Sequence, residues 1–107
     1  RFFSKAEYGF AFLDKGLYLG IGPAITYSNA DHLIEVVRKM PLDQLVLETD
    51  CPWLPTQSHE GARAVSDMLG EVVETIARVR GDVSADQVAN AALANAKRLF
   101  QLDESLF

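Results

Sequence analysis

The 107-residue sequence has a single cysteine, two histidines and no methionine at its start. One cysteine excludes an internal disulfide and a cluster of zinc-bound thiolates, and it fits a reducing compartment, so we expect a cytoplasmic protein. No stretch approaches the roughly 18 apolar residues that span a bilayer, and we therefore expect no membrane partner. The net charge of −5 argues against holding nucleic acid by phosphate attraction alone, although a bound metal ion would supply positive charge locally.

The composition is that of an ordinary globular protein, with 49% hydrophobic and 23% charged residues. The length allows one small domain. The first residues, 1–4, lack the apolar core of a signal peptide, and the chain begins in the middle of a pattern. We therefore expect residues 1–107 to be one piece of a longer protein.

Hydrophobic periodicity and capping residues predict helices and strands in alternation. The predicted order is helix 5–14, strand 17–22, helix 30–40, strand 44–49, a long helix ending at Gly81, and a last helix opened by a capping box at 84–87. The predicted caps are Ser4, Gly16, and Ser28 or Asn29. The predicted inner faces are Ala6, Phe10 and Leu13; Leu33, Val37 and Met40; Val65, Leu69, Val72, Ile76 and Val79; and Val88, Ala92, Ala96 and Leu99.

Helix, strand, helix, strand, helix, helix is typical of an α/β domain with parallel strands. Both predicted strands are almost wholly apolar, as expected when helices cover one face of a sheet and a barrel interior lies on the other. Two parallel strands cannot close a sheet, and a complete (β/α)8 barrel needs about 250 residues. The pattern therefore indicates part of a larger fold.

The polar residues 48–50 follow the second predicted strand at the end where α/β folds gather their active sites. Asp50 has two interpretations. It caps the turn into the following loop, or its carboxylate binds a divalent cation or accepts a proton from a metal-bound water. Three residues alone do not decide between them.

The loop after Asp50 carries two candidate substrate contacts, His59 and Trp53. His59 is either a solvated loop residue or a contact to a phosphate, and Trp53 either packs against the fold or stacks on a nucleobase. Cys51 has no histidine placed to activate it as a nucleophile. We expect His32 to be a surface or helix-start residue, and Arg63, Arg78 and Arg80 to be solvated helix residues.

Five segments together resemble the TatD family of deoxyribonucleases. Residues 45–54, with Glu48-Thr49-Asp50-Cys51-Pro52, resemble the Leu-Leu-Glu-Thr-Asp-x-Pro signature of that family. The resemblance extends to residues 12–22, to 25–27, to 40–43, and to 95–100, which look like the terminal Asn-x-x-x-Leu-Phe of the family. These segments cover essentially the whole chain in the family's order.

The resemblance implies an α/β fold that is the C-terminal portion of a TIM (β/α)8 barrel of the metal-dependent hydrolase type, with two parallel strands and about four helices. It implies a hydrolase that cleaves phosphodiester bonds in DNA, with two divalent ions (Mg²⁺, Mn²⁺ or Zn²⁺) in a complete active site. Asp50 matches a metal ligand that binds one ion and orients or deprotonates the attacking water. Glu48 matches a residue that supports the ligands.

Most ligands of the family's site have no counterpart in this sequence. Alignment on Gly16 places a strand histidine immediately before Arg1, and the loop lacks a clear Arg-x-Asn-x-Pro. Because one carboxylate cannot hold a catalytic cation, we expect the 107-residue chain alone to be inactive. We also expect it to self-associate through uncovered strand edges and helix faces. The alternatives are a non-catalytic binding or assembly module, and a hydrolase of the same fold with a non-nucleic substrate.

Overall fold

A computed structural model of the chain describes residues 6–48 and 69–100. The helices and strands are α1 (Ala6–Asp14), β1 (Leu19–Ile21), α2 (Asp31–Lys39), β2 (Leu45–Leu47), α3 (Leu69–Arg80) and α4 (Ala85–Phe100). Two short 3-10 helices, Pro23–Thr26 and Leu42–Gln44, follow β1 and precede β2. The predicted two strands and four helices are confirmed. None of these helices is both long and apolar enough to cross a membrane.

The two strands form a parallel pair in which Leu19 lies opposite Leu45, and Ile21 opposite Leu47. Leu19, Ile21 and Leu45 are buried in the core beneath the helices. Side chains alternate between the two faces of a strand, so Gly20 and Val46 belong to the opposite face. Val46 is only half-buried, because the described helices cover one face of the sheet. That uncovered face is where the sequence predicted a barrel interior.

Helix α1 packs against the core with the face that the sequence predicted. Leu13 is buried, and Ala6 and Phe10 are partly buried against the same core. Gly16 adopts a φ of 78° just past the helix, and its amide donates a hydrogen bond to the carbonyl of Leu13 at 2.9 Å. The predicted left-handed cap is therefore confirmed. The predicted cap at Ser4 lies outside the described residues.

Helix α2 buries the predicted face but begins differently from the prediction. Its predicted inner residues are all buried: Leu33, Val37 and Met40. The N-cap is Ala30, whose carbonyl accepts a hydrogen bond from the amide of Ile34 at 2.9 Å, so the prediction of Ser28 or Asn29 as the cap was wrong. Residues 28 and 29 form a turn ahead of the helix, and the small side chain of Ala30 is fully buried. Burial of that methyl group sets the boundary.

The junction between α3 and α4 follows its predicted capping chemistry. Gly81 ends α3 with a φ of 75°, and its amide donates to the carbonyl of Ala77 at 3.0 Å. The amide of Ser84 donates to Oε1 of Gln87 at 2.8 Å, and the amide of Gln87 donates to Oγ of Ser84 at 3.2 Å. This reciprocal pair is the predicted capping box. Val72 and Ile76 of α3 are fully buried as predicted, whereas Val65 lies outside the described residues.

The buried stripe of α4 departs from the prediction near its end. Val88 and Ala92 are buried, but Leu99 is 41% exposed and was wrongly predicted to be internal. The third buried position is Asn95, which is 1% exposed. Spacings of four and three residues place Val88, Ala92 and Asn95 on one helix face. The amide of Asn95 binds the backbone before and within β2, so this face of the helix is turned toward that strand.

Arg80 at the end of α3 is a buried structural residue, so its prediction as solvated was wrong. Its side chain is 9% exposed. Nη1 donates to the carbonyls of Val37 at 2.9 Å and Met40 at 2.7 Å, and Nε lies 3.1 Å from a carboxylate oxygen of Asp82. The guanidinium thereby satisfies the last carbonyls of α2, where a cation is favoured. Arg78 is exposed as predicted, and Arg63 lies outside the described residues.

Candidate metal centre at the carboxyl ends of the strands

One predicted site residue, Glu48, lies in the described part of the chain. Asp50, Trp53 and His59 lie outside it, so their predicted roles stay predictions. His32 lies in the first turn of α2 and is half-buried, as expected for a residue at the start of a helix.

Glu48 follows β2 directly and continues its pairing with β1. The amide of Glu48 donates to the carbonyl of Ile21 at 3.1 Å. This hydrogen bond fixes the backbone of Glu48 at the carboxyl end of both strands. Its side chain is half-buried, and Oε1 is shielded from solvent. A carboxylate is thus held in place at the end of the sheet where α/β barrels bind their substrates.

Two glycines on β1 and just after it create the space that the Glu48 side chain occupies. A Cβ atom added to Gly20 would lie 3.3 Å from Cγ of Glu48. A Cβ atom added to Gly22 would overlap the carboxylate, at 2.7 Å from Cδ and 2.7 Å from the backbone oxygen of Glu48. Glycine within or beside a strand often marks such a close approach. The side chain of Glu48 therefore lies over the backbone of Gly20 and Gly22.

The chemistry of this arrangement suits the edge of a metal centre. A carboxylate oxygen is a ligand or supporting group that hard divalent cations favour. Within residues 6–48 and 69–100, no group of three or more histidine, cysteine, aspartate and glutamate side chains is placed to hold a metal ion. Glu48 alone does not make a metal site, and its predicted supporting role stays a prediction. The inactivity expected of the 107-residue chain stays a prediction.

The space that Gly20 and Gly22 leave for the Glu48 side chain was not predicted from the sequence, where both glycines are only part of the predicted strand 17–22. A signal for it exists in the spacing. Glycine at alternate positions leaves one face of a strand bare, and Glu48 stands in register with Gly22 once the strands pair. The register depends on the tertiary fold, so the glycine spacing alone does not reveal which side chain fills the gap.

Comparison with known proteins gives a consistent result at the levels of family, sequence and structure. The family model described as TatD related DNase matches residues 1–101. The chain is 36% identical over 93 residues to the uncharacterized metal-dependent hydrolase YcfH of Escherichia coli K12, a match that covers 87% of this chain and 35% of YcfH. It is 35% identical over 100 residues to the 3′-5′ ssDNA/RNA exonuclease TatD of Erwinia tasmaniensis, covering 84% of this chain and 36% of that protein.

A solved structure supports the same assignment. YjjV, a TatD homologue from Escherichia coli K12, matches with a TM-score of 0.86 and 30% sequence identity over 95% of this chain and 39% of YjjV. The chain therefore spans between 35% and 39% of the length of the proteins compared. The predicted fold class, the C-terminal portion of a TatD-type TIM barrel, is confirmed. With a family match that extends over residues 1–101, the chain belongs to the TatD family of metal-dependent hydrolases.

Proposed function

We propose that the complete protein is a metal-dependent nuclease that cleaves phosphodiester bonds in DNA, with Asp50 as a metal ligand. The observation that carries this proposal is the half-buried Glu48 side chain, with Oε1 shielded from solvent, at the carboxyl ends of β1 and β2. Glu48 stands two residues before Asp50, and alternation along a strand would direct both carboxylates to one face. The proposal requires that Asp50 continue this alternation.

The choice of nucleic acid as the substrate class rests on family membership and on one named relative. The TatD protein of Erwinia tasmaniensis is described as an exonuclease of single-stranded DNA and RNA, whereas YcfH is described only as a metal-dependent hydrolase. We propose a cytoplasmic enzyme that uses Mg²⁺, Mn²⁺ or Zn²⁺, with two ions in a complete site. Bound divalent ions lower the pKa of water and neutralise phosphate charge.

Within this proposal each candidate site residue has a distinct role. Asp50 contributes an anionic oxygen to the metal centre and accepts a proton from the attacking water. Glu48 adds negative charge beside the ligands and holds their arrangement. Trp53 and His59 are proposed contacts to a nucleobase and to a phosphate.

Metal-dependent cleavage of DNA is the first expected result. The complete protein, stripped with a chelator and reloaded with Mg²⁺, Mn²⁺ or Zn²⁺ in turn, should shorten a fluorescently labelled single-stranded DNA oligonucleotide on a denaturing gel. The stripped protein should leave the oligonucleotide intact, because no activated water is then available. Hydrolysis of small carboxylic esters or amides without cleavage of DNA would instead support the same-fold hydrolase with a non-nucleic substrate. A protein that hydrolyses neither DNA nor small esters or amides, with or without added metal, would favour a binding module.

Self-association of the isolated 107-residue chain is a second expected result. Two helices of the described part carry large apolar side chains on their surfaces: Tyr8 and Phe12 of α1 are 51% and 42% exposed, and Leu93 and Phe100 of α4 are 42% and 66% exposed. Their spacings of four and seven residues form a stripe on each helix. Such stripes favour association in water. Sedimentation velocity should show mass above 11.8 kDa that rises with concentration, and a monodisperse monomer would contradict the expectation.

A further inference from the structure

Gly22 has a backbone conformation that does not itself call for glycine. Its φ of −136° and ψ of −159° lie in the extended region, which any residue adopts. Gly16 and Gly81 differ, because their φ values of 78° and 75° favour glycine for conformational reasons. The reason for glycine at position 22 must therefore lie in the space around it.

The space at Gly22 is filled by Glu48. A methyl group at position 22 would lie 2.7 Å from Cδ of Glu48, and it would overlap Oε1 of the same carboxylate. It would also lie 2.7 Å from the backbone oxygen of Glu48, a residue whose amide is hydrogen-bonded to the carbonyl of Ile21. An alanine would thus force the carboxylate to leave its position, and it would also strain the end of β2. At Gly20 the corresponding contact is 3.3 Å from Cγ, which a small shift relieves.

We propose that Gly22 is a positioning residue of the metal centre. Because Gly22 has no side chain, it leaves room for the Glu48 carboxylate at the end of the two strands. This inference rests on the proposed function. Glu48 follows β2, yet the space that its carboxylate occupies is left by Gly22, the residue after β1. The two strands together therefore fix the direction from which this negative charge faces a divalent cation.

A supporting carboxylate that moves loses much of its effect. Substituting groups that surround and orient metal ligands typically lowers metal affinity about 10- to 100-fold. The Gly22→Ala substitution should give a loss of this size, although position 22 itself has no side chain with which to bind metal. The loss should depend on the presence of the Glu48 side chain. This dependence separates a positioning role from general damage to the strands.

A double-substitution cycle in the complete protein tests this dependence. The metal-free proteins carrying Gly22→Ala, Glu48→Ala, or both substitutions are titrated calorimetrically with Mn²⁺. Each single substitution should weaken the Kd for Mn²⁺ by about 10- to 100-fold. In the Glu48→Ala background, Gly22→Ala should weaken the Kd far less than in the wild type, since no carboxylate is left to displace and only the contact with the backbone oxygen persists. Equal and multiplicative losses in both backgrounds would overturn the proposal.

The controls separate folding from metal binding. Gly70→Ala places a methyl group on the exposed face of α3, where nothing lies within 4 Å, and it should preserve the Kd and leave the Tm equal or slightly higher, because alanine favours a helix more than glycine does. The Tm of the metal-free Gly22→Ala protein should fall in both backgrounds, because the contact with the backbone oxygen of Glu48 persists. If Gly22→Ala does not fold, Glu48→Gln decides the matter, since it keeps the shape and removes the charge. Unchanged Mn²⁺ affinity in Glu48→Gln would overturn the inference.

Failure of the inference and failure of the proposed function give different results. A wild-type protein that binds no Mn²⁺, Mg²⁺ or Zn²⁺ contradicts the proposed function, and the role of Gly22 falls with it. A wild-type protein that binds Mn²⁺ and cleaves DNA, with a Gly22→Ala variant of unchanged Kd, contradicts only the role of Gly22.

Discussion

Asp50→Asn in the complete protein is expected to lower kcat/KM for single-stranded DNA by about 10² to 10⁴-fold, the range that one positioned acid–base group contributes. The amide is neutral, so it is a weaker partner for a divalent cation and cannot accept a proton from water. Steady-state rates at saturating Mn²⁺ measure the loss. Metal analysis of the purified variant should show less bound metal, because a ligand has been removed.

Asp43→Asn is the matched control for this substitution. Asp43 is an exposed residue of the 3-10 helix before β2, and so lies at the amino end of the strand that Asp50 follows. The chemical change is identical, but the position is remote from the carboxyl ends of the strands, and the rate should stay at the wild-type value. Circular dichroism should show that both variants fold. A folded Asp50→Asn protein with the wild-type rate would remove Asp50 from the site.

The elements of the fold were predictable because their signals are local. Gly16 and Gly81 end helices in the left-handed conformation, which glycine adopts easily. The capping box at 84–87 needs only residues that are close in sequence. The helical spacing of apolar residues in α2 and α3 is likewise visible within each segment of sequence. The cap of α2 was not predictable in this way, since burial of Ala30 against the core outweighs the side-chain preference of Ser28 and Asn29.

The side chains that join the elements were harder to predict, because their partners are distant in sequence. Arg80 satisfies carbonyls on α2, about forty residues earlier. Glu48 meets Gly22 only after the strands pair in register. For the candidate site, the sequence therefore predicted the supporting role of Glu48 from family resemblance, and the structure supplies the steric reason for its position. Asp50 stays a prediction from the sequence.

Asn95 joins α4 to β2 and is the polar side chain on which we expect the fold to depend most. Its Nδ2 donates to the carbonyls of Leu42 at 2.9 Å and Leu45 at 2.7 Å, while Oδ1 accepts a hydrogen bond from Arg98. Arg98 also donates to the carbonyl of Asp43 at 3.3 Å. The side-chain nitrogen of Asn95 thus binds β2 and the 3-10 helix before it, and the side-chain oxygen binds a residue of its own helix. The terminal Asn-x-x-x-Leu-Phe segment begins at this residue, which gives its asparagine a structural role.

Asn95→Asp is expected to lower the free energy of unfolding of the complete protein by about 3 kcal/mol, because the buried hydrogen bond to Leu45 and the part-buried one to Leu42 lose their donor at about 1–3 kcal/mol each. The new carboxylate keeps the shape of the amide but directs an oxygen at both carbonyls, and its pairing with Arg98 offsets only part of this repulsion. Urea unfolding followed by circular dichroism measures the change. Against a typical domain stability of about 5–15 kcal/mol, the loss is large.

Asn90→Asp on the exposed face of the same helix adds the same charge and removes the same amide, so it provides the reference. A substitution at such a site usually changes stability by less than about 0.5 kcal/mol. The difference between the two variants therefore isolates the two hydrogen bonds to Leu42 and Leu45 from the general effect of one more negative charge. Equal urea midpoints for Asn95→Asp and Asn90→Asp would mean that α4 docks through Val88 and Ala92 alone. A lower midpoint only for Asn95→Asp would identify this amide as the residue that fixes the rotation of α4 against β2. The amide would then also hold the start of β2, the strand that Glu48 follows.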